Sequence, residues 1–180
     1  VATWNLHNEH KQGETVRRAL EATGTDVGIL QEAIDNRFLP RFEGWQCDVE
    51  ETQCLCVRGA DTGGSEDKWQ LGQAGSVSLD GVRRQAQVAT LYAGSKQIQI
   101  LNVHLVPGSR VGPGVPLSEF PQRLEKSVDL RRRQIAAAAQ WARTVDGPFI
   151  VAGDFNTPPT EDIWGPLRAI AIDAFAAAGS

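Results

Sequence analysis

Four segments of the sequence share one pattern, an apolar run that ends in polar or acidic residues. The polar residues at these ends are Asn5, Glu32, His104, Asp154 and Asn156. Carboxylate and amide oxygens together form a hard ligand set, which suits Mg²⁺ or Mn²⁺ better than zinc. A histidine and a neutral amide beside such an ion can hold a phosphoryl oxygen or transfer a proton. If the runs are strands that end at one edge of a sheet, the pattern predicts one shared cleft that can hold such an ion.

Each segment taken alone also has a structural explanation. Glu32 fits a strand end that reaches solvent, His104 fits a buried core histidine, and Asn5 fits a residue that closes a turn. Asp154 and Asn156 form the most specific segment, because two polar side chains follow a fully apolar run at a spacing that puts them on one face of a strand. A capped turn before the prolines that follow explains that segment as well. The occurrence of all four segments in one chain is what favours a shared site.

Short strands and two helices are predicted to position these residues. Val1–Leu6 and Val27–Leu30 are predicted strands, and Glu14–Ala22 has apolar residues at helical spacing, with Gly24 suited to end that helix. A longer helix is predicted over Leu124–Thr144. Further strands are predicted at Cys54–Arg58, Ser76–Leu79, Ala86–Tyr92, Gln97–His104 and Phe149–Ala152.

The connections between these elements indicate the fold class. Asp80–Gly81 and Gly94–Ser95 are typical of hairpin turns, and Thr160 is suited to cap a helix with an acidic first turn. Val106–Gln122, with four prolines and three glycines, is predicted to be a long irregular loop. Because this loop directly follows His104, we expect it to influence substrate choice. Strands that alternate with helices but are interrupted by hairpins favour two packed sheets with helices outside.

Three cysteines leave their oxidation state open. Cys54 and Cys56 lie on one side of a predicted strand, too close to bridge each other comfortably. If Trp45–Val49 pairs with Cys54–Arg58 in a hairpin, Cys47 lies opposite Cys56, and a cross-strand disulfide typical of secreted proteins fits. Buried free thiols in a reducing compartment fit at least as well. A zinc site is the least favoured interpretation, since the spacing of four structural ligands is absent.

The motifs in their chain order resemble those of the endonuclease/exonuclease/phosphatase superfamily, which includes DNase I, exonuclease III, sphingomyelinases and inositol polyphosphate phosphatases. They are Thr-Trp-Asn5, Leu-Gln-Glu32, Asn-Val-His104-Leu and Gly-Asp154-Phe-Asn156-Thr-Pro-Pro, and the segment Ile-Asp-Ala-Phe175 is also similar. The resemblance covers essentially all 180 residues. It implies an α/β fold, a four-layered αββα sandwich of the DNase I type.

The same resemblance implies a role for each site residue. Glu32 matches the principal metal-binding glutamate, and Asn5 matches the asparagine that helps form the metal and phosphate pocket. His104 and Asn156 match residues that contact the scissile phosphate, and Asp154 matches the aspartate that orients or deprotonates the attacking water. The implied cofactor is Mg²⁺, with Mn²⁺ as the alternative. The implied reaction is hydrolysis of a phosphodiester or phosphomonoester in a nucleic acid, an inositol phosphate or a phospholipid headgroup.

The sequence departs from the family pattern in two places. His7 stands where several nuclease relatives carry an acidic residue. Two later motifs, an Arg-Ile-Asp-Tyr-like strand and a Ser-Asp-His segment, have no match in the chain. We therefore expect residues 1–180 to be a single domain, incomplete at its C-terminus and impaired as an enzyme, within a catalytically active longer protein. The alternative is a catalytically incomplete binding domain of the same fold.

Composition sets broader limits on the function. An apolar content of 41% and a charged content of 22% are ordinary for a soluble globular protein. The net charge of −4 disfavours a protein that holds long duplex DNA nonspecifically. No membrane span or signal peptide is evident, and the absence of methionine suggests a removed leader or a piece of a longer chain. Both a cytoplasmic and a secreted location fit, and the sequence does not indicate an oligomeric state.

Overall fold

The computed structural model describes residues 1–7, 13–33, 42–59, 68–79, 84–108 and 116–178. The chain divides into two compact units. The first comprises Val1–Val77, Gln85–His104 and Gly147–Asp154, and the second comprises Ser78–Arg84, Leu105–Asp146 and Phe155–Ser180. The predicted turn at Asp80–Gly81 and the middle of the predicted loop, residues 109–115, lie outside the described residues. The expectation of a single domain over 1–180 stays a prediction.

One sheet of the first unit brings Asn5 and Glu32 to the same edge. It contains β1 (Ala2–Asn5), β2 (Val27–Gln31), β3 (Trp45–Glu50) and β4 (Gln53–Arg58) in the order β1-β2-β4-β3. β1 and β2 are parallel, and Asn5 pairs with Gln31, the residue before Glu32. The other neighbours in the sheet are antiparallel.

The second sheet of this unit brings His104 and Asp154 together. It contains β5 (Gln70–Ser78), β6 (Gln85–Ala93), β7 (Lys96–His104) and β8 (Phe149–Asp154), in that order. β6 and β7 form the hairpin predicted at Gly94–Ser95, where Gly94 has a φ of 56°. β7 and β8 are parallel, with His104 paired with Asp154 at their shared end.

Alternating side chains place apolar residues on both faces of the first sheet. On β2 and β4, Ile29 and Leu55 belong to the core between the two sheets, whereas Leu30 and Cys54 face the helix α1 (Gly13–Ala22). Full burial of one such Ile or Leu side chain contributes roughly 1.5–3 kcal/mol. The predicted pair of packed sheets with a helix against one of them is therefore present in the first unit.

The second unit is mainly helical. A 3-10 helix at Leu117–Glu119 leads into α2 (Phe120–Thr144), and a 3-10 helix at Asp162–Trp164 leads into α3 (Gly165–Arg168), before the short α4 (Ala174–Ala177). The side chain of Arg131 on α2 is buried; its Nη1 donates to Ser127 Oγ at 2.7 Å, and its Nη2 lies 3.5 Å from Glu161 Oε1. None of the helices in the described ranges is long and apolar enough to cross a membrane.

Several predicted element ends differ from the structure, and three of these differences have an identifiable cause. α2 begins at Phe120 rather than Leu124, because Pro121 fits the first turn of a helix, where its missing N–H is not needed. Thr160 does not cap a helix, since the 3-10 helix begins at Asp162 without a side-chain cap. β5 begins at Gln70 rather than Ser76, because its two glycines and its half-exposed side chains hide the alternation that marks a strand.

The predicted hairpin of β3 and β4 sets the pairing of the cysteines. Cys47 lies opposite Cys56, and the two form a disulfide. The third cysteine, Cys54, is a free and fully buried thiol whose Sγ lies 3.4 Å from Cys56 Sγ. Burial, with a smaller contribution from the nearby Asp48 carboxylate, raises the pKa of Cys54 to about 12.

We expect thiol alkylation to distinguish these states. No cysteine of the folded, oxidised protein should react with iodoacetamide at pH 9, because Cys54 is buried and remains protonated well above its ordinary pKa of 9.0. In denaturant without reductant one thiol should react, and after reduction all three should react. Intact-mass measurement gives the counts, and Cys54→Ala serves as the control that should show none without reductant. Three reactive thiols in the unreduced wild type would contradict the disulfide.

Candidate active site

The side-chain amide of Asn5 lies between two carboxylates. Its Nδ2 donates to Glu32 Oε1 at 3.2 Å and to Asp154 Oδ2 at 2.7 Å. Its oxygen accepts a hydrogen bond of 2.9 Å from the backbone N–H of His7, which determines which end of the amide faces the carboxylates. Asn5 therefore connects the end of the first sheet to the end of the second, within the first unit of the chain.

His104 lies beside the same two carboxylates. Its Nε2 is 3.7 Å from Glu32 Oε1 and 4.0 Å from Asp154 Oδ2, distances of ion-pair range rather than of hydrogen bonds. The His104 side chain is 8% exposed, whereas those of Glu32 and Asp154 are 20% and 26% exposed. The carboxylates thus remain accessible to water and ligands while the imidazole is largely enclosed.

Glu32 reaches this cluster only because the backbone turns at that residue. Gln31 faces the other sheet, so an extended Glu32 would point to the opposite face. Instead Glu32 adopts a φ of 57°, a left-handed conformation that costs a non-glycine residue roughly 1–3 kcal/mol. Hydrogen bonds on both sides hold the turn, from Leu6 N to Gln31 O and from Ala33 N to Thr52 O, each 2.9 Å.

Gly153 allows β8 to approach β7 directly before Asp154. A Cβ at this position would lie 2.0 Å from Val103 O and 2.8 Å from Val103 N, and the φ of Gly153 is 136°. Any side chain would therefore push the two strands apart. The glycine of the Gly-Asp motif is thus required for the position of the carboxylate that follows it.

Asn156 belongs to the second unit and has a φ of 49°. Its Nδ2 donates to Leu105 O at 3.0 Å, a contact within that unit. The phosphate-binding role predicted for Asn156 stays a prediction. The structure thus brings together four of the five predicted residues in the first unit. The fifth, Asn156, belongs to the second unit.

The donor set fits a hard divalent cation. Glu32 and Asp154 present two half-buried carboxylates to one neutral amide, and carboxylate oxygens are preferred ligands of Mg²⁺ and Mn²⁺. These two residues would hold the ion. The oxygen of Asn5 accepts the backbone N–H of His7 with one of its two lone pairs. The metal-ligand role predicted for Asn5 stays a prediction. His7 contributes its backbone N–H, which donates to the oxygen of Asn5.

Two buried amides next to the site were not predicted to have a role. Gln31 precedes Glu32, Asn102 lies two residues before His104, and their side chains hydrogen-bond to each other at 2.9 Å. The sequence contains one indication of such a pair: each amide occupies an inward-facing position of a strand whose other inward side chains are apolar.

The chain is similar to known proteins both in sequence pattern and in fold. The profile of the Endonuclease/Exonuclease/phosphatase family matches residues 2–163. No curated protein matches the chain in sequence. Among solved structures, D. rerio TDP2 complexed with a single-strand DNA product is 14% identical with a TM-score of 0.63, over 87% of this chain and 60% of that chain.

Two further structures share the fold. An endonuclease/exonuclease/phosphatase from Bacteroides vulgatus is 16% identical with a TM-score of 0.63, over 93% of this chain and 69% of that chain. Sphingomyelinase C from Streptomyces griseocarneus is 17% identical with a TM-score of 0.56, over 93% of this chain and 67% of that chain. These similarities confirm the predicted α/β fold class of the DNase I type. The chain spans three fifths of the length of the D. rerio protein.

The strained turn at Glu32 predicts an inverted order of stability. Glu32→Gly should be more stable than Glu32→Ala by roughly 1 kcal/mol, because only glycine adopts a positive φ without a steric penalty. Chemical denaturation of both variants measures the difference. At Arg18, inside the helix α1, the same two substitutions should follow the ordinary order, with alanine the more stable. Equal or reversed stabilities at position 32 would show that the turn is not strained.

Proposed function

The chain belongs to the endonuclease/exonuclease/phosphatase family, and on this premise we propose that it forms the metal-binding part of a divalent-metal-dependent phosphoester hydrolase. The observation that carries the proposal is the convergence of Glu32 and Asp154, from different sheets, on the amide of Asn5 beside His104. Phosphoester hydrolysis requires that negative charge on the phosphoryl oxygens be neutralised and that a water molecule be oriented for attack. A divalent cation held by the two carboxylates would meet the first requirement, and a carboxylate beside an imidazole is suited to the second.

Each residue has a distinct role in this proposal. Glu32 and Asp154 would hold the cation, which would supply neutralisation of charge on the phosphoryl oxygens and on the leaving oxygen. Asp154 also orients the attacking water and accepts its proton, because it is the more exposed of the two carboxylates. His104 donates a hydrogen bond to a phosphoryl oxygen from its enclosed position. Asn5 keeps the two carboxylates at a fixed separation.

Several kinds of phosphoester are candidate substrates. TDP2 was solved with a DNA product and the Streptomyces protein is a sphingomyelinase, so related folds act on different phosphodiesters. We propose a phosphodiester in a nucleic acid or a phospholipid headgroup as the substrate, or an inositol phosphate. The net charge of −4 disfavours long duplex DNA as the substrate.

A hydrolysis panel on the complete protein tests this function. It should include bis-p-nitrophenyl phosphate, single- and double-stranded DNA, RNA, sphingomyelin and inositol phosphates, each with Mg²⁺, with Mn²⁺ and with EDTA. We expect at least one substrate to be hydrolysed only when a divalent cation is present. If every rate is independent of the cation, the proposed function is wrong.

Substitutions separate the roles of the two carboxylates. Glu32→Ala should abolish metal-stimulated hydrolysis. Asp154→Asn should still bind the metal, more weakly, because Glu32 and the amide oxygen at position 154 remain as ligands, but it should lose about 100-fold or more in kcat, the usual contribution of a general base. Calorimetric titration with Mn²⁺ measures the binding, and steady-state kinetics measures the turnover. Glu43→Ala, which removes an exposed carboxylate elsewhere in the first unit, is the control and should behave as the wild type. Wild-type rates in both site variants would place the active site elsewhere.

A further inference from the structure

Four amide side chains lie between the two sheets directly below the carboxylate cluster. They are Gln31 on β2, Gln53 on β4, Gln87 on β6 and Asn102 on β7, and each is at most 3% exposed. We propose that this amide layer is a positioning element, which fixes the offset between the sheets and so holds Glu32 at its distance from His104 and Asp154. The proposal rests on the proposed function for its catalytic consequence, but its structural content can be tested independently.

Asn102 is the centre of the layer. Its Oδ1 accepts from Gln31 Nε2 at 2.9 Å, its Nδ2 donates to Leu30 O at 3.1 Å, and its backbone oxygen accepts from Gln53 Nε2 at 2.9 Å. All three bonds join the second sheet to the first. Two of them involve the last two residues of β2, directly before Glu32.

Gln87 extends the same connection across the neighbouring strands. Its backbone N–H donates to Gln53 Oε1 at 2.9 Å, and its Nε2 donates to Asp48 Oδ2 at 2.8 Å and to Asp48 O at 3.0 Å. Its own Oε1 accepts from Asn102 Nδ2 at 3.2 Å. The layer therefore joins β2, β3 and β4 of one sheet to β6 and β7 of the other through hydrogen bonds with defined partners.

The order of residues along the strands explains why the layer lies where it does. On β7 the inward side chains are, in order, Ile100, Asn102 and His104. On β2 they are Ile29 and Gln31, and Glu32 is the first residue after the strand. The apolar part of the interface is non-directional and does not by itself define one offset between the sheets. Buried amides do, because each requires a partner at the correct distance and angle and is costly to leave unpaired.

The site depends on this offset more than the rest of the interface does. Glu32 and Asn5 come from the first sheet, and His104 and Asp154 come from the second, so any sliding changes every distance among them. A displacement of about 1 Å in a catalytic geometry can reduce a rate by about 100-fold. A layer of directional bonds one residue away from the site limits such displacement.

The test uses two near-isosteric substitutions, Gln31→Met and Asn102→Leu, and their double mutant. Crystal structures of the variants report the separation of His104 Nε2 from Glu32 Oε1, 3.7 Å in the wild type, whether or not the protein hydrolyses anything. Steady-state kinetics with the best substrate of the panel reports kcat and KM separately. The control is Ile29→Ala, which removes apolar contacts on the same face of β2 without removing an inter-sheet hydrogen bond; Ile29→Val replaces it if the alanine variant does not fold.

We expect each amide variant to lengthen the His104–Glu32 separation and to lower kcat by about 100-fold, with a smaller change in KM. The losses of the two variants should be less than additive in the double mutant, because both single substitutions remove the bond between Gln31 and Asn102. The isoleucine control, at an equal or larger loss of unfolding stability, should keep the separation and the kcat.

An unchanged separation in the amide variants, or an equal loss of kcat in the control, would overturn the positioning role. If only one amide variant folds, its His104–Glu32 separation and its kcat are compared with those of the control in the same way. If the wild type hydrolyses no substrate, the proposed function fails, while the measured separations still decide whether the amides position the cluster.

Discussion

The candidate site depends on two separate sheets ending at the same level. Within each sheet the backbone ladder provides the alignment, since Asn5 pairs with Gln31 on parallel strands and His104 pairs with Asp154 on another parallel pair. Between the sheets there is no such ladder in the described residues, and the described contacts are made by side chains. The relative position of Glu32 and Asp154 is therefore a tertiary property, set by apolar packing over most of the interface and by amide hydrogen bonds at its end.

Two unusual backbone conformations adjoin the carboxylates. Glu32 has a positive φ, and Gly153 combines a positive φ with a close approach of β8 to β7. The strain at Glu32, roughly 1–3 kcal/mol, is a considerable fraction of the 5–15 kcal/mol by which folded domains are usually stable. The left-handed turn places the carboxylate of Glu32 on the face that Gln31 also occupies. In an extended strand, the residue after Gln31 would lie on the opposite face. The strain at Glu32 and the close approach of the strands at Gly153 are thus both coupled to the geometry of the site.

Much of the site was predictable from the sequence because its residues follow apolar strands, and strand ends are visible as changes from apolar to polar residues. The register that places Cys47 opposite Cys56 was also predictable, because a short hairpin allows few alternative pairings of its two strands. The positive φ of Glu32 was not predictable, because local sequence favours no such conformation for glutamate. The amide layer was also missed. Gln31 and Asn102 are polar residues in otherwise apolar strands, and only the packing of one sheet on the other identifies each as the partner of the other.

The choice of an asparagine at position 5 has an electrostatic explanation. A lysine or arginine there would also bridge Glu32 and Asp154, but its positive charge would neutralise the carboxylates and reduce their attraction for a cation. The neutral amide donates one hydrogen bond to each carboxylate and leaves their charge available. Because the His7 N–H occupies the amide oxygen, the amide cannot turn without losing that bond. Asn5 thus fixes the geometry of two like charges without cancelling them, which is the condition that a preorganised cation site requires.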